Sequence, residues 1–198
     1  LKTAQTARQF LVVEMSFRHF GMEISPTDGR LLDDYIQGKG TDPRRVLYWP
    51  WATQEVMDLL NWMRDYNGRV EPQPRITFHG IDPITGERDP VMAENVSRIL
   101  EKYGPDSKIV LWAHNAHISN SNGWMGSYLK QTWGDQAYLL GFEFDCGSFT
   151  SRMATVQTYS VGPTPPRFLC PCPGPSGSTV AVPGLPDPIP GSGAARVA

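Results

Sequence analysis

Apolar positions along the chain follow two alternating rhythms. From Thr53 to Tyr66, residues Val56, Leu59, Leu60 and Met63 fall three or four apart, the spacing that lines one face of a helix. Thr3–Ser16 carries the same rhythm through Phe10, Leu11 and Met15. Thr27–Gln37 reads as a short helix stopped by Gly38 and Gly40, and another helix is expected around Met125–Trp133. Pro90, in a first-turn position that proline tolerates, opens a further helix that runs to Tyr103 before Gly104-Pro105. Between these lie short apolar segments that read as strands: Arg18–Ile24, Arg75–Ile81, Ile109–Ala113 and Ala137–Phe144. Strands separated by helices of this length predict an α/β fold, with a largely parallel central sheet flanked by helices on both faces.

Both rhythms stop near Gly162, and the stretch from there to Ala198 holds more than half of the chain's prolines. Such a segment cannot bury enough apolar surface to offset its ordering entropy. The expected organisation is one α/β domain over residues 1–150 and a disordered Pro/Gly-rich tail over 151–198. A net charge of -2 without a Lys/Arg run argues against a nucleic-acid partner. No apolar run approaches the roughly 18 residues that span a bilayer, and the first residues lack a secretion-signal pattern, so no membrane partner is expected. Three cysteines, an odd number, read as free thiols in a reducing, cytoplasmic compartment.

The first three strands share a second property: each ends in polar residues. Glu23 closes the first, His79 and Asp82 the second, and His114 with Asn115 the third, with His117 three positions further on. On parallel strands these groups gather at one rim, where open α/β sheets bind their ligands. A lone buried carboxylate is costly, so Glu23 is expected either to pair with a cation, Arg88 being the candidate, or to work with an imidazole. Asp82 reads locally as a turn cap and Asp89 as the N-cap of the Pro90 helix. Arg88 has the alternative role of steadying an oxyanion. Trp49, Trp51 and Glu55 suggest one wall of a substrate cleft, although tryptophans more often serve the core. His114, His117 and Glu23 would also make a minority metal set, but HExxH is absent, as is the serine-nucleophile motif GxSxG.

Taken in order, MEISPTDGRLLDDYIQGKG, WPWATQEVMDLLNWMRDYN, FHGID, RDPVMAENVSRIL, KIVLWAHNAHI and LLGFEFDCGSF resemble the erythromycin esterase family over about Thr3 to Phe149. The resemblance implies hydrolysis of a carboxylic ester or macrolide lactone by histidine-activated water, without a metal or other cofactor, and a role in the response to antibiotics. It places Glu23, His114, His117 and Arg88 in the catalytic positions, and from the residue pattern Trp49, Trp51, Glu55, His79 and Asp82 are expected on the substrate side. The partner it implies is a small-molecule ester or lactone. The family's usual upstream Gly-Glu-x-x-His-Gly type motif does not occur here, and only Pro83–Glu87 separate FHGID from the RD helix. Those departures imply a shortened chain with impaired catalysis. Two competing expectations are an inert relative that binds a small apolar ligand and a metal-dependent hydrolase.

Overall fold

The computed structural model describes residues 10–40, 42–70, 74–83 and 86–142, and two further strands at 147–152 and 156–161. Three parallel strands, β1 (His19–Met22), β2 (Thr77–Gly80) and β3 (Ile109–Trp112), form a sheet in the order β2-β1-β3. Gly21 lies opposite His79 on one side and opposite Leu111 on the other. Four α-helices accompany them among the described residues: α1 (Pro26–Ile36), α2 (Gln54–Asn67), α3 (Arg88–Tyr103) and α4 (Met125–Trp133). The first strand is central, and the chain passes to opposite sides of it for the second and third. The crevice beyond the carboxyl end of β1 is therefore the topological switch point of the sheet.

The two-residue alternation of strand side chains divides the interior into two layers. Phe20, Met22, Phe78 and Val110 face Leu32, Ile36, Leu59, Leu60 and Met63 of α1 and α2. Ile109 and Leu111 face Met92, Ala93, Val96, Met125 and Leu129 of α3 and α4. At one end α1 rests directly on the backbone of β2. A Cβ at Gly29 would lie 1.9 Å from the Gly80 nitrogen, and a Cβ at Gly80 would lie 1.9 Å from the Ser25 oxygen. Only two glycines allow this approach. It carries the chain after β1 alongside the chain after β2, where Asp82 N donates to Ile24 O at 2.9 Å.

Local side-chain caps open the first two helices but not the last two, since Trp124 before α4 makes no side-chain cap bond. Ser25 accepts from Asp28 N, and Thr53 accepts from Val56 N, capping α1 and α2. In contrast, α3 starts two residues before Pro90, so Asp89 lies inside the first turn and is not an N-cap. Glu87 takes that position without a side-chain cap bond. The reason is tertiary, because the Arg88 and Asp89 side chains are engaged by other elements.

Two other segments differ from expectation. Of the expected helix Thr3–Ser16, residues 1–9 lie outside the described residues, and Phe10–Glu14 form a single π-helical turn. Residues 137–142 adopt no regular strand, and 143–144 lie outside the described residues. The last two strands, β4 (Gly147–Arg152) and β5 (Val156–Val161), form their own antiparallel ladder in a second unit, Leu140–Ala198. That ladder runs into the span expected to be a tail, whose remainder from 162 lies outside the described residues. No described helix is long and apolar enough to cross a membrane.

Candidate active site

Glu23 is the first residue past the end of the central strand, and its carboxylate is the hub of the rim. Arg88 Nη2 donates to Oε1 at 3.1 Å, and the backbone N–H of His114 donates to Oε2 at 2.9 Å. His117 Nε2 lies 3.2 Å from Oε1. All three parallel strands thus contribute: β1 supplies Glu23, the chain after β2 supplies Asp82 and leads to Arg88, and the turn after β3 supplies His114 and His117. Arg88 also bonds Asp82 with both of its arms, Nε to Oδ1 at 3.0 Å and Nη2 to Oδ2. Paired, fork-like contacts of this kind are the strong form of an Arg–carboxylate bond. Asp82 first, then Glu23, holds the Arg88 guanidinium above its ordinary pKa. The arginine is therefore a fixed cation.

His117 reaches the rim because the chain turns at once after β3. His117 N donates to His114 O at 2.9 Å, so the turn occupies His114–His117 itself and precedes the Ser119–Gly123 loop. The first turn of α4 then seats against it: Gly126 N donates to His117 O at 2.8 Å, where an added Cβ at Gly126 would meet Ile118 O at 2.2 Å. The buried His117 ring stands edge-on to Trp124, with centroids 5.8 Å apart. Its second nitrogen, Nδ1, lies 2.8 Å from Asp89 Oδ1, which also accepts from Met125 N at 2.8 Å. Both ring nitrogens therefore face carboxylates. As the imidazolium it donates to both; as the neutral ring it donates to one and leaves a lone pair toward the other.

The structure does not bring every sequence-predicted residue to this cluster. His114 contributes its backbone N–H, while its ring is exposed and its Nδ1 accepts from Ala116 N at 3.1 Å. That bond places the ring proton of neutral His114 on Nε2. Trp51 Nε1 donates to Glu23 O at 3.1 Å, tying the preceding loop to the rim. Trp49 is partly exposed in the same loop, and Glu55 is exposed in the first turn of α2. Among the described residues no group of three His, Cys, Asp or Glu side chains has metal-binding geometry.

His79 lies apart from this cluster. It faces the α3 layer, below the rim, because it lies on the sheet face opposite Phe78 and three residues before Asp82. There its Nε2 lies 2.8 Å from Thr77 Oγ1, which is also 2.8 Å from His19 Nδ1. Tyr103 stacks on His19 with centroids 4.1 Å apart and meets His79 edge-on. Burial, then the neighbouring His19 and Lys102, lowers the His79 pKa to about 4, and burial lowers that of His19. The unfolded chain takes up these protons near pH 6.5, the ordinary value, but folded His79 does so only near 4. Stability should therefore fall as pH drops through that window, by at most about 3 kcal/mol from His79 given its partial exposure. Urea titrations at successive pH values check this: His79→Gln should flatten the dependence, and an unchanged slope would contradict it.

Two residues at the site had no sequence signal for such a role. Asp89 reads locally as a helix cap, yet it orients His117; its only clue is adjacency to Arg88. Tyr48, in the Trp51 loop, feels the same charge cluster: burial and the carboxylates of Asp28, Asp82 and Glu23 push its phenol upward, leaving it a neutral O–H donor. The residue is 43% exposed.

The sequence model of one family, erythromycin esterase, matches residues 12–85 and 83–169. Erythromycin esterase type II of Escherichia coli is 30% identical over 79 residues, which is 39% of this chain but 18% of that protein. The chain thus spans less than a fifth of that curated relative's length. A crystal structure of a succinoglycan biosynthesis protein superposes with a TM-score of 0.64 at 18% identity, covering 80% of this chain and 66% of that one. A Bacillus cereus protein gives 0.61 at 16% identity, covering 82% and 67%. At such identities the two structures attest the fold alone.

Proposed function

The chain belongs to the erythromycin esterase family, and from that premise we propose that it hydrolyses a carboxylic ester or lactone with water activated at the Glu23–His117 contact. The observation that carries the proposal is the convergence of Arg88, His117 and the His114 N–H on one carboxylate at the switch point of the sheet. Glu23 and His117 share one short contact and so can pass a proton between them. Asp89 fixes the imidazole as the third group of an acid–base unit does. A water within reach of that pair attacks the ester carbonyl and gives up its proton to the pair as the C–O bond forms. Arg88, held by Asp82, and the outward Nε2–H of neutral His114 are the donors available to the developing oxyanion. The proton returns to the alkoxide leaving group as the tetrahedral intermediate collapses, so acid and alcohol are the products. Tyr48, Trp49 and Trp51 form an aromatic side to the site, which suits a substrate with an apolar face.

Turnover of a chromogenic carboxylic ester by the purified chain, with acid and alcohol both identified, tests the reading. Hydrolysis that survives exhaustive chelation is expected. Activity abolished by chelation and restored by metal would transfer the role to a metal-dependent reaction. Thermal shifts with macrolides in the absence of any hydrolysis would make this a binding protein instead.

A further inference from the structure

His79 lines a cavity of about 390 Å³ that lies apart from the rim, between α1 and α3 beside the outer strand β2. None of Glu23, Asp82, Arg88, Asp89 or His117 borders it. Its volume is within the range of small-molecule sites, roughly 300–1,000 Å³. We propose that this cavity is a second ligand site, which takes the anionic group, phosphate or carboxylate, of a small molecule.

Charge is the first reason. Arg30, Arg98 and Lys102 border the cavity, against the single carboxylate of Asp33. That carboxylate is already in use: its Oδ1 accepts from Phe78 N at 2.8 Å and from Gln37 Nε2 at 3.2 Å. Arg98 touches Glu94 at 2.6 Å, but that pair is exposed, with side chains at 64% and 55%, and holds little energy. Lys102 sits 5.1 Å from the centre of the Tyr103 ring. The cations here are thus available to a ligand, unlike Arg88.

The second reason is the hydrogen-bond chain beneath. Thr77 Oγ1 lies 2.8 Å from two ring nitrogens, His19 Nδ1 and His79 Nε2, and can donate its one proton to only one of them while accepting from the other. The chain therefore has two polarities. If Thr77 donates to His79, the free nitrogen of His79, Nδ1, carries a proton and is a donor; if His79 donates to Thr77, Nδ1 is a bare lone pair. Among the described residues Nδ1 has no protein partner. An anion against it selects the donor polarity, while the neighbouring cations balance its charge. Apolar Pro26 and Ile99 offer surface for the remainder of the ligand.

The chain has four histidines, which makes their ring nitrogens resolvable probes. Histidine ¹⁵N NMR of the full chain, titrated with sodium phosphate at constant ionic strength, tests the site. A saturable shift of the His79 nitrogens toward the Nδ1–H form is expected, weakened at least about tenfold in the Arg98→Ala/Lys102→Ala double variant, where only exposed side chains change. The His117 signals should stay fixed. The proposal is overturned by an unmoved His79 at tens of millimolar phosphate, by the same shift with chloride, by a response confined to His117, or by full binding in the double variant.

Discussion

Replacing Glu23 by Gln is expected to lower kcat for ester hydrolysis by roughly 10²- to 10⁴-fold, the usual worth of a positioned acid–base group. The side chain keeps its size and its place beyond β1, and its carbonyl oxygen can still accept from His114 N or Arg88. What it loses is the charge facing His117 and the capacity to take a proton. KM should change little, because the aromatic side of the site is untouched, and that split separates a group acting in the transition state from one that only binds substrate. Steady-state kinetics on a chromogenic ester check it. A variant with wild-type kcat would remove Glu23 from the reaction.

The second large effect is on stability. Arg88→Met removes the cation shared by Asp82 and Glu23, whose side chains are only 7% and 14% exposed. Stripping one partner from a buried ion pair costs about 3–5 kcal/mol, because the remaining charge stays buried. Arg88 is itself 39% exposed, so the loss should be near the lower bound, about 3 kcal/mol. Lys at this position should recover only part of it, since an ammonium cannot make the paired contact to Asp82. Arg98→Met is the control. Its exposed pair with Glu94 should cost below about 0.5 kcal/mol. Urea denaturation of the three variants measures the order, and equal losses for Arg88→Met and Arg98→Met would show that burial is not what makes the rim pair matter.

Where a property depends on local rhythm, it was legible in the sequence. The spacing of Val56, Leu59, Leu60 and Met63 describes α2, and the alternation of strands and helices implies parallel strands. Parallel strands ending in Glu23, Asp82 and His114 imply a shared rim. The rest depends on contacts between distant residues. Asp89 beside Pro90 looks like a helix cap because that reading needs only its neighbours, whereas its partners, His117 and Met125 N, lie 28 and 36 positions away. His79 looked like a rim residue because it stands close to Asp82 in sequence; strand alternation and three residues of rise put it beneath. His114 looked like the working imidazole, yet the turn that follows it offers its backbone to Glu23 and sends the ring of His117 there instead. Tyr48 belongs to no motif at all. The bond from Trp51 to Glu23 O brings its loop beside the rim.

If Glu23 and His117 act as one unit, a double-mutant cycle on kcat/KM will reveal it. Glu23→Gln, His117→Ala and the double variant should all fall to nearly the same low rate, since groups that work together lose their function once either is gone. Losses that multiply, with the double variant slower by the product of the two single effects, would contradict it.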